Sequence, residues 1–185
     1  SEEGQGENLN DLQVCTWKTP ADLYRLFGEQ FVSKLGLSGP NDVPGFNEAL
    51  GLTSDGKVPI DDHDGAERFQ ILSPVRLQPH GIHQINRWVQ TTFRQEQLRA
   101  SRQPWGHSFG DEEIVWGDKV ILTKNGRHES YRRSLKAKGE EEYLANGEIG
   151  IASGANNLFL NVAFAQRADL TFGFSARKFS SNSAP

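Results

Sequence analysis

The chain has 185 residues, 20 Lys/Arg against 24 Asp/Glu and a formal net charge of −4, enough length for one ordinary domain or two small ones with a real core. No run approaches the roughly 20 consecutive apolar residues of a membrane span, and no charged-then-apolar leader opens the chain, so no membrane association is expected and the cytoplasm is the default location. The single cysteine, Cys15, excludes a disulfide framework or a cysteine zinc site within one chain; alone in a strand, it reads as a small buried hydrophobe.

Methionine is absent, position 1 included, which reads as a piece of something longer. Charge is unevenly spread. Residues 1–72 hold 5 Lys/Arg against 13 Asp/Glu, residues 73–138 hold 12 against 6, and residues 139–185 hold 3 against 5. A basic middle third is what a phosphate-tracking surface needs, although a solvated face has the same composition.

Residues 1–10 are polar and read as disordered or as an expression remnant. Leu12 to Trp17 reads as a short strand. Thr19-Pro20-Ala21-Asp22 is a helix start: Thr caps free amides, Pro suits the first turn and Asp complements the dipole. Leu23, Leu26, Phe27, Phe31 and Leu35 then recur at helical spacing up to a stop near Gly36. Turn formers dominate residues 37–66, with a short helix around Phe46 to Leu50. Arg68 to Leu72 is a compact apolar run that reads as a buried parallel strand, and His80 to about Arg99 as a second amphipathic helix. Residues 11–103 therefore predict a partial α/β layer.

Beyond Gln103 the hydrophobic period becomes two. Strands are predicted at Glu113–Trp116, Lys119–Thr123, Gly147–Ala152, Asn157–Phe164 and Asp169–Ser175, which suits a small barrel over residues 104–176. Gly117 and Gly147 sit where positive φ or close backbone approach is needed. The basic segment Arg127 to Lys138 reads as a mobile loop, and residues 177–185 as a tail.

Several motifs point to chemistry. Gly51-Leu-Thr-Ser-Asp-Gly56-Lys57-Val58 nearly spells a phosphate-binding loop, but Val58-Pro59 replaces the hydroxyl and the helix that such a loop requires, so it reads as a surface turn. Asp61, Asp62, His63 and Asp64 offer oxygen and imidazole ligands to a hard cation, but consecutive residues do not converge easily on one ion, and a solvated loop is the plainer reading. His80 and His83, three apart, have no further ligand in view. No metal site is assigned. Ser73, Pro74 and Arg76 stand at the end of the predicted Arg68–Leu72 strand, where α/β sheets place ligands.

Two segments carry a family resemblance. Ile71-Leu72-Ser73-Pro74-Val75-Arg76 with Gly81-Ile82 to Asn86, and Val115-Trp-Gly-Asp-Lys-Val-Ile-Leu-Thr-Lys-Asn125 with Asn146-Gly-Glu-Ile-Gly150, together resemble the second motor domain of superfamily 1 (RecD-like and UvrD-like) DNA helicases. The resemblance covers about residues 68–175. It implies a segment of a RecA-like parallel sheet with helices, interrupted by an SH3-like β-barrel. It also implies that Arg76 reaches the γ-phosphate of ATP across the parent's cleft, as a bidentate, always-charged guanidinium can. ATP and Mg²⁺ belong to the parent; this chain has no phosphate loop, no D-E-x-Q motif and no terminal arginine-finger motif, so it is expected to be inactive alone and to need the remaining helicase domains.

On this reading single-stranded DNA is the partner. Arg87, Arg94, Lys119, Lys124, Arg127, Arg132, Arg133, Lys136 and Lys138 are the predicted phosphate contacts, and Trp105, Trp116 or Tyr131 the stacking partners. Two other classes stay open: an SH3-like module that binds a protein through an aromatic groove, and a metal-dependent hydrolase using Asp61, Asp62 and Asp64.

Overall fold

The computed structural model describes residues 8, 9, 12–60, 64–104, 106–156, 158–167 and 169–175. Four helices precede a six-stranded antiparallel sheet. They are α1 (Pro20–Leu35), α2 (Val43–Ala49), α3 (Ile82–Phe93) and α4 (Gln95–Ser101). A two-residue ladder, β1 (Asn8–Leu9) with β2 (Leu12–Gln13), lies ahead of them. The main sheet contains β3 (Lys119–Ile121), β4 (Gly126–Arg132), β5 (Ala137–Leu144), β6 (Ile149–Ala155), β7 (Phe159–Phe164) and β8 (Leu170–Ser175), in the order β3-β6-β7-β8-β4-β5.

Local chemistry sets α1 as predicted. The Thr19 side chain accepts from the Asp22 amide, the Asp22 carboxylate accepts from the Thr19 amide, and the helix ends at Gly36 with φ 68°, so both termini are capped. The expectation of a RecA-like parallel sheet is overturned. All pairings of the main sheet are antiparallel, and Arg68–Leu72 forms no strand. Its apolar side chains serve the helical core instead: Phe69 packs edge-on to Phe31 and Phe46, while Leu72 is 87% exposed. The helix predicted from His80 to Arg99 breaks at Arg94, whose φ of −125° departs from helical geometry. Cys15 is exposed rather than buried.

The SH3-like barrel expectation is corrected too. Among the described residues β3 and β5 are not paired with each other, so the sheet stays open. It curls enough for Val120, Leu122, Leu144, Ala152, Phe164, Phe172 and Phe174 to share one cluster on its inner face. The outer face is divided. Where β6 and β7 begin and end, Ile149, Ile151 and Ala163 join Phe31, Phe46, Leu50 and Phe93 in the helical core; across β8, β4 and β5 it is open to solvent. The segment Arg127–Lys138, expected as a mobile loop, is instead most of the β4–β5 hairpin. Among the described residues no helix is long and apolar enough to cross a membrane.

Gly117 and Gly147 adopt φ of 83° and 95°, as the sequence predicts for turns entering strands. Their surroundings differ. A Cβ on Gly147 meets nothing within 4 Å, whereas one on Gly117 falls 2.9 Å from Arg94 Nε. Gly147→Ala is expected to cost about 1 kcal/mol, from backbone strain alone. Gly117→Ala is expected to cost at least about 1 kcal/mol more, because the guanidinium is pushed off buried acceptors. Urea midpoints of the two variants check this, and equal losses would contradict it.

Candidate nucleic-acid interface

The open part of the outer face is built by alternation and one bulge. Tyr143 and Glu141 on β5 point outward opposite Arg127 and Glu129 on β4. A strict two-residue period would next turn Gly139 outward. Instead the register shifts between Glu129 and Tyr131, and Lys138 becomes the partner of Tyr131. Buried Ser130 pins the bulge by donating to the Glu140 carbonyl at 2.7 Å. Gly139 makes room for it, since a Cβ there would lie 2.3 Å from Ser130 Oγ. The extra residue thereby re-aims Lys138 onto the same face as Tyr131.

The result is a shallow groove of about 760 Å³, with Gly173 and Asn161 on its floor side and Arg127, Glu129, Tyr131 and Lys138 along the hairpin. Tyr131, Tyr143 and Phe159 stand 44%, 52% and 52% exposed. Register places Tyr131 beside Lys138 and Tyr143 beside Arg127, directly opposed pairs whose Cβ atoms approach to about 5 Å in such ladders. Two aromatic faces, each with an adjacent cation, thus share one open sheet surface. Lys138 Nζ also contacts Glu129 at 2.6 Å, and Arg127 contacts Glu141 at 3.6 Å. Arg167 secures the far end, donating to the Tyr143 carbonyl at 2.8 Å and pairing with Glu142 at 3.2 Å and Glu148 at 3.1 Å.

Only part of the predicted cation set lies on this face. Arg127 and Lys138 do, and Arg132 and Lys136 are exposed at the hairpin's end. Lys124 is exposed ahead of β4. Arg87, on α3, pairs with Glu113 at 2.7 Å. Three others are internal ties. Arg94 is 2% exposed and donates to Asn47 Oδ1 and the Gly117 carbonyl, each at 2.8 Å. Burial pushes its guanidinium down to about 10, against the pull of Asp118. Lys119 donates to the Phe69 carbonyl and lies over that ring, and burial lowers its ammonium. Arg133 donates to the carbonyls of Pro59 and Val58, clipping the hairpin to the helical layer.

Of the predicted stacking residues, Tyr131 lies in the groove, Trp116 is committed to the Gly56 carbonyl at 2.9 Å, and Trp105 lies outside the described residues. Sequence reading missed Tyr143, Phe159 and Asn161; the only signal for Tyr143 was a tyrosine closing a run of three glutamates. Asp61, Asp62 and His63 lie outside the described residues, and Asp64 opens a short 3₁₀ turn. Among the described residues no cluster of three or more His, Cys, Asp or Glu is arranged for a metal.

Among the described residues, neither the Gly51–Val58 segment nor the start of α3 is free to cradle a nucleotide's phosphates. The Gly51–Val58 segment is a closed turn, in which the Thr53 amide donates to the Lys57 carbonyl at 2.9 Å and Lys57 is held by Asp55 at 2.6 Å. The first amides of α3 are occupied as well: Ile82 donates to the Val75 carbonyl at 3.0 Å and His83 to the Arg76 carbonyl at 3.3 Å. Arg76 itself is exposed on the loop before α3. No family model matches this chain, and no curated protein or solved structure matches it.

Asp169 fixes the hairpin's turn. It accepts from the Ser134 amide at 2.6 Å and from the Ser134 hydroxyl, and pairs with Arg132 at 3.5 Å. The Ser134 hydroxyl bond is the main reason its carboxyl lies below the usual range, with the Ser134 amide and Arg132 adding to it. For an acid depressed on folding, the stabilisation is complete above the ordinary aspartate value of about 4 and is lost as pH falls through the lower folded value. In an NMR pH titration the Ser134 amide is expected to shift with a midpoint below that ordinary value, and to lose the shift in Asp169→Asn. A midpoint at or above the ordinary value would remove the anchor.

Proposed function

We propose that this chain is the DNA-facing part of an ATP-dependent superfamily 1 helicase, and that the outer face of its open sheet carries a single nucleic-acid strand. The observation that carries the reading is the pairing of Tyr131 with Lys138 and of Tyr143 with Arg127 on one solvent-exposed surface. Aromatic faces stack on unpaired bases, which present π-surfaces whatever their identity, while adjacent cations take phosphates. A duplex hides its bases and cannot use the tyrosines. The sequence resemblance of Val115–Asn125 and Asn146–Gly150 supports the helicase part of the reading, and a cytoplasmic location goes with it.

On the helicase reading, ATP and Mg²⁺ are held in the parent chiefly by its remaining domains, as the sequence resemblance implies. Arg76 is the group this chain offers to the γ-phosphate. In the full-length protein Arg76→Ala is expected to lower ATP turnover without lowering the thermal midpoint, since its side chain is exposed. Unchanged turnover would remove Arg76 from the site.

The strand-binding reading is tested on the chain itself. Labelled single-stranded oligonucleotides of different sequence are expected to bind weakly and with similar affinity, and the matching duplex more weakly still. Tyr131→Ala and Tyr143→Ala are each expected to cost about 1–3 kcal/mol of that binding. Equal binding of single strand and duplex, or indifference to both substitutions, would overturn the proposal.

A further inference from the structure

We infer that Glu129 and Glu141 are built-in substitutes for phosphate, which occupy Lys138 and Arg127 until an incoming strand displaces them. The inference rests on the single-strand reading of this face and concerns its regulation. Glu129 and Glu141 stand directly opposite each other in the β4–β5 ladder. Like charges in that relation oppose strand pairing. Here each carboxylate is answered by a cation: Glu129 by Lys138 at 2.6 Å and Glu141 by Arg127 at 3.6 Å. Four charges on one surface therefore cancel.

All four side chains are more than half exposed, from 55% to 69%. At such exposure water screens the pairs and holds them weakly. A phosphate diester offers the same two-oxygen anion that a carboxylate does, so ammonium and guanidinium accept the exchange. The exchange has two consequences. With the patch neutral, no local field draws a polyanion onto the groove, and bound strand is held mainly by its bases over the tyrosines. Once the cations turn to phosphates, the released carboxylates repel the backbone from the middle of the groove, which favours rapid release.

The test compares wild type with Glu129→Gln/Glu141→Gln, using a labelled short oligothymidylate at several KCl concentrations. The amides keep the size of the side chains and remove both negative charges. The double variant is expected to bind about tenfold more tightly at low salt. Its plot of log affinity against log salt should steepen by about 1.4, from two unmasked cations at about 0.7 each on a single strand. Each single variant should give about half that change, which keeps the test available if the double variant folds poorly.

If wild type binds through its tyrosines and the variants match it in affinity and slope, the substitution idea fails while the single-strand function stands. Weaker binding by the variants also overturns it, since the carboxylates would then be contacts to the strand. If neither wild type nor any variant binds, both readings fall.

Discussion

One buried guanidinium holds the helical layer and the sheet together. Arg94 ends α3, donates to Asn47 on α2 and to the Gly117 carbonyl at the entrance to β3, and lies over the Phe46 ring at 5.4 Å. A buried charge is costly to leave unpaired; both terminal nitrogens of Arg94 find acceptors while its Nε has none among the described residues, and removing the group would strand the acceptors that it serves. Its demand reaches into the neighbouring sequence. Gly117 must lack a side chain because the guanidinium fills that space. Asn47 is held in place by donating to the Ser54 carbonyl at 3.0 Å. With pKa near 10, Arg94 remains charged at neutral pH. The helices therefore meet the sheet at a defined register, and Gln90 reinforces it by donating to Asp118 at 2.7 Å.

That register decides which part of the sheet is open. On β7, Ala163 is covered by the helical core while Asn161, two residues earlier on the same face, is exposed. The boundary between packed and open surface thus crosses a single strand. Beyond it, the hairpin projects without helical cover, and two ties fix its turn: Arg133 to the carbonyls of Val58 and Pro59, and Asp169 to Ser134. The open face thus rests on a backbone already fixed at the hairpin's turn, which leaves less of it to be ordered on binding.

The sequence was legible where local chemistry or hydrophobic alternation decided the structure. Thr19, Asp22 and Gly36 bound α1, and the alternation in β7 and β8 identified them as strands facing a core. The β4–β5 hairpin was hidden because alternation is weak there. Its inward positions include His128, Ser130 and Gly139, and several outward ones are charged, so a strand reads as a charged loop. Arg68–Leu72 failed in the opposite sense: its composition suits a buried strand, but its bulk is consumed by aromatic packing, and among the described residues no strand pairs with it. Nor could any local pattern mark Arg94, Lys119 and Arg133 as internal, because the carbonyls that receive them come from Gly117, Phe69 and Val58–Pro59, remote in sequence from their donors.

The basic middle third shows how far a charge count can stand from a field. Arg94, Lys119 and Arg133 spend their donors inside the protein. Arg87, Arg127, Arg132 and Lys138 are each matched by a carboxylate, in two cases (Glu141 and Asp169) from outside the segment. Lys124 and Lys136 are exposed at separate turns. Much of the excess of positive charge in the linear sequence is thus taken up in ties and pairs when the chain folds. Long-range attraction of a polyanion needs uncompensated charge on one face, which this surface lacks. Binding on the outer face must therefore draw on short-range contact: stacking on Tyr131 and Tyr143, with cations that change partners once the strand has arrived.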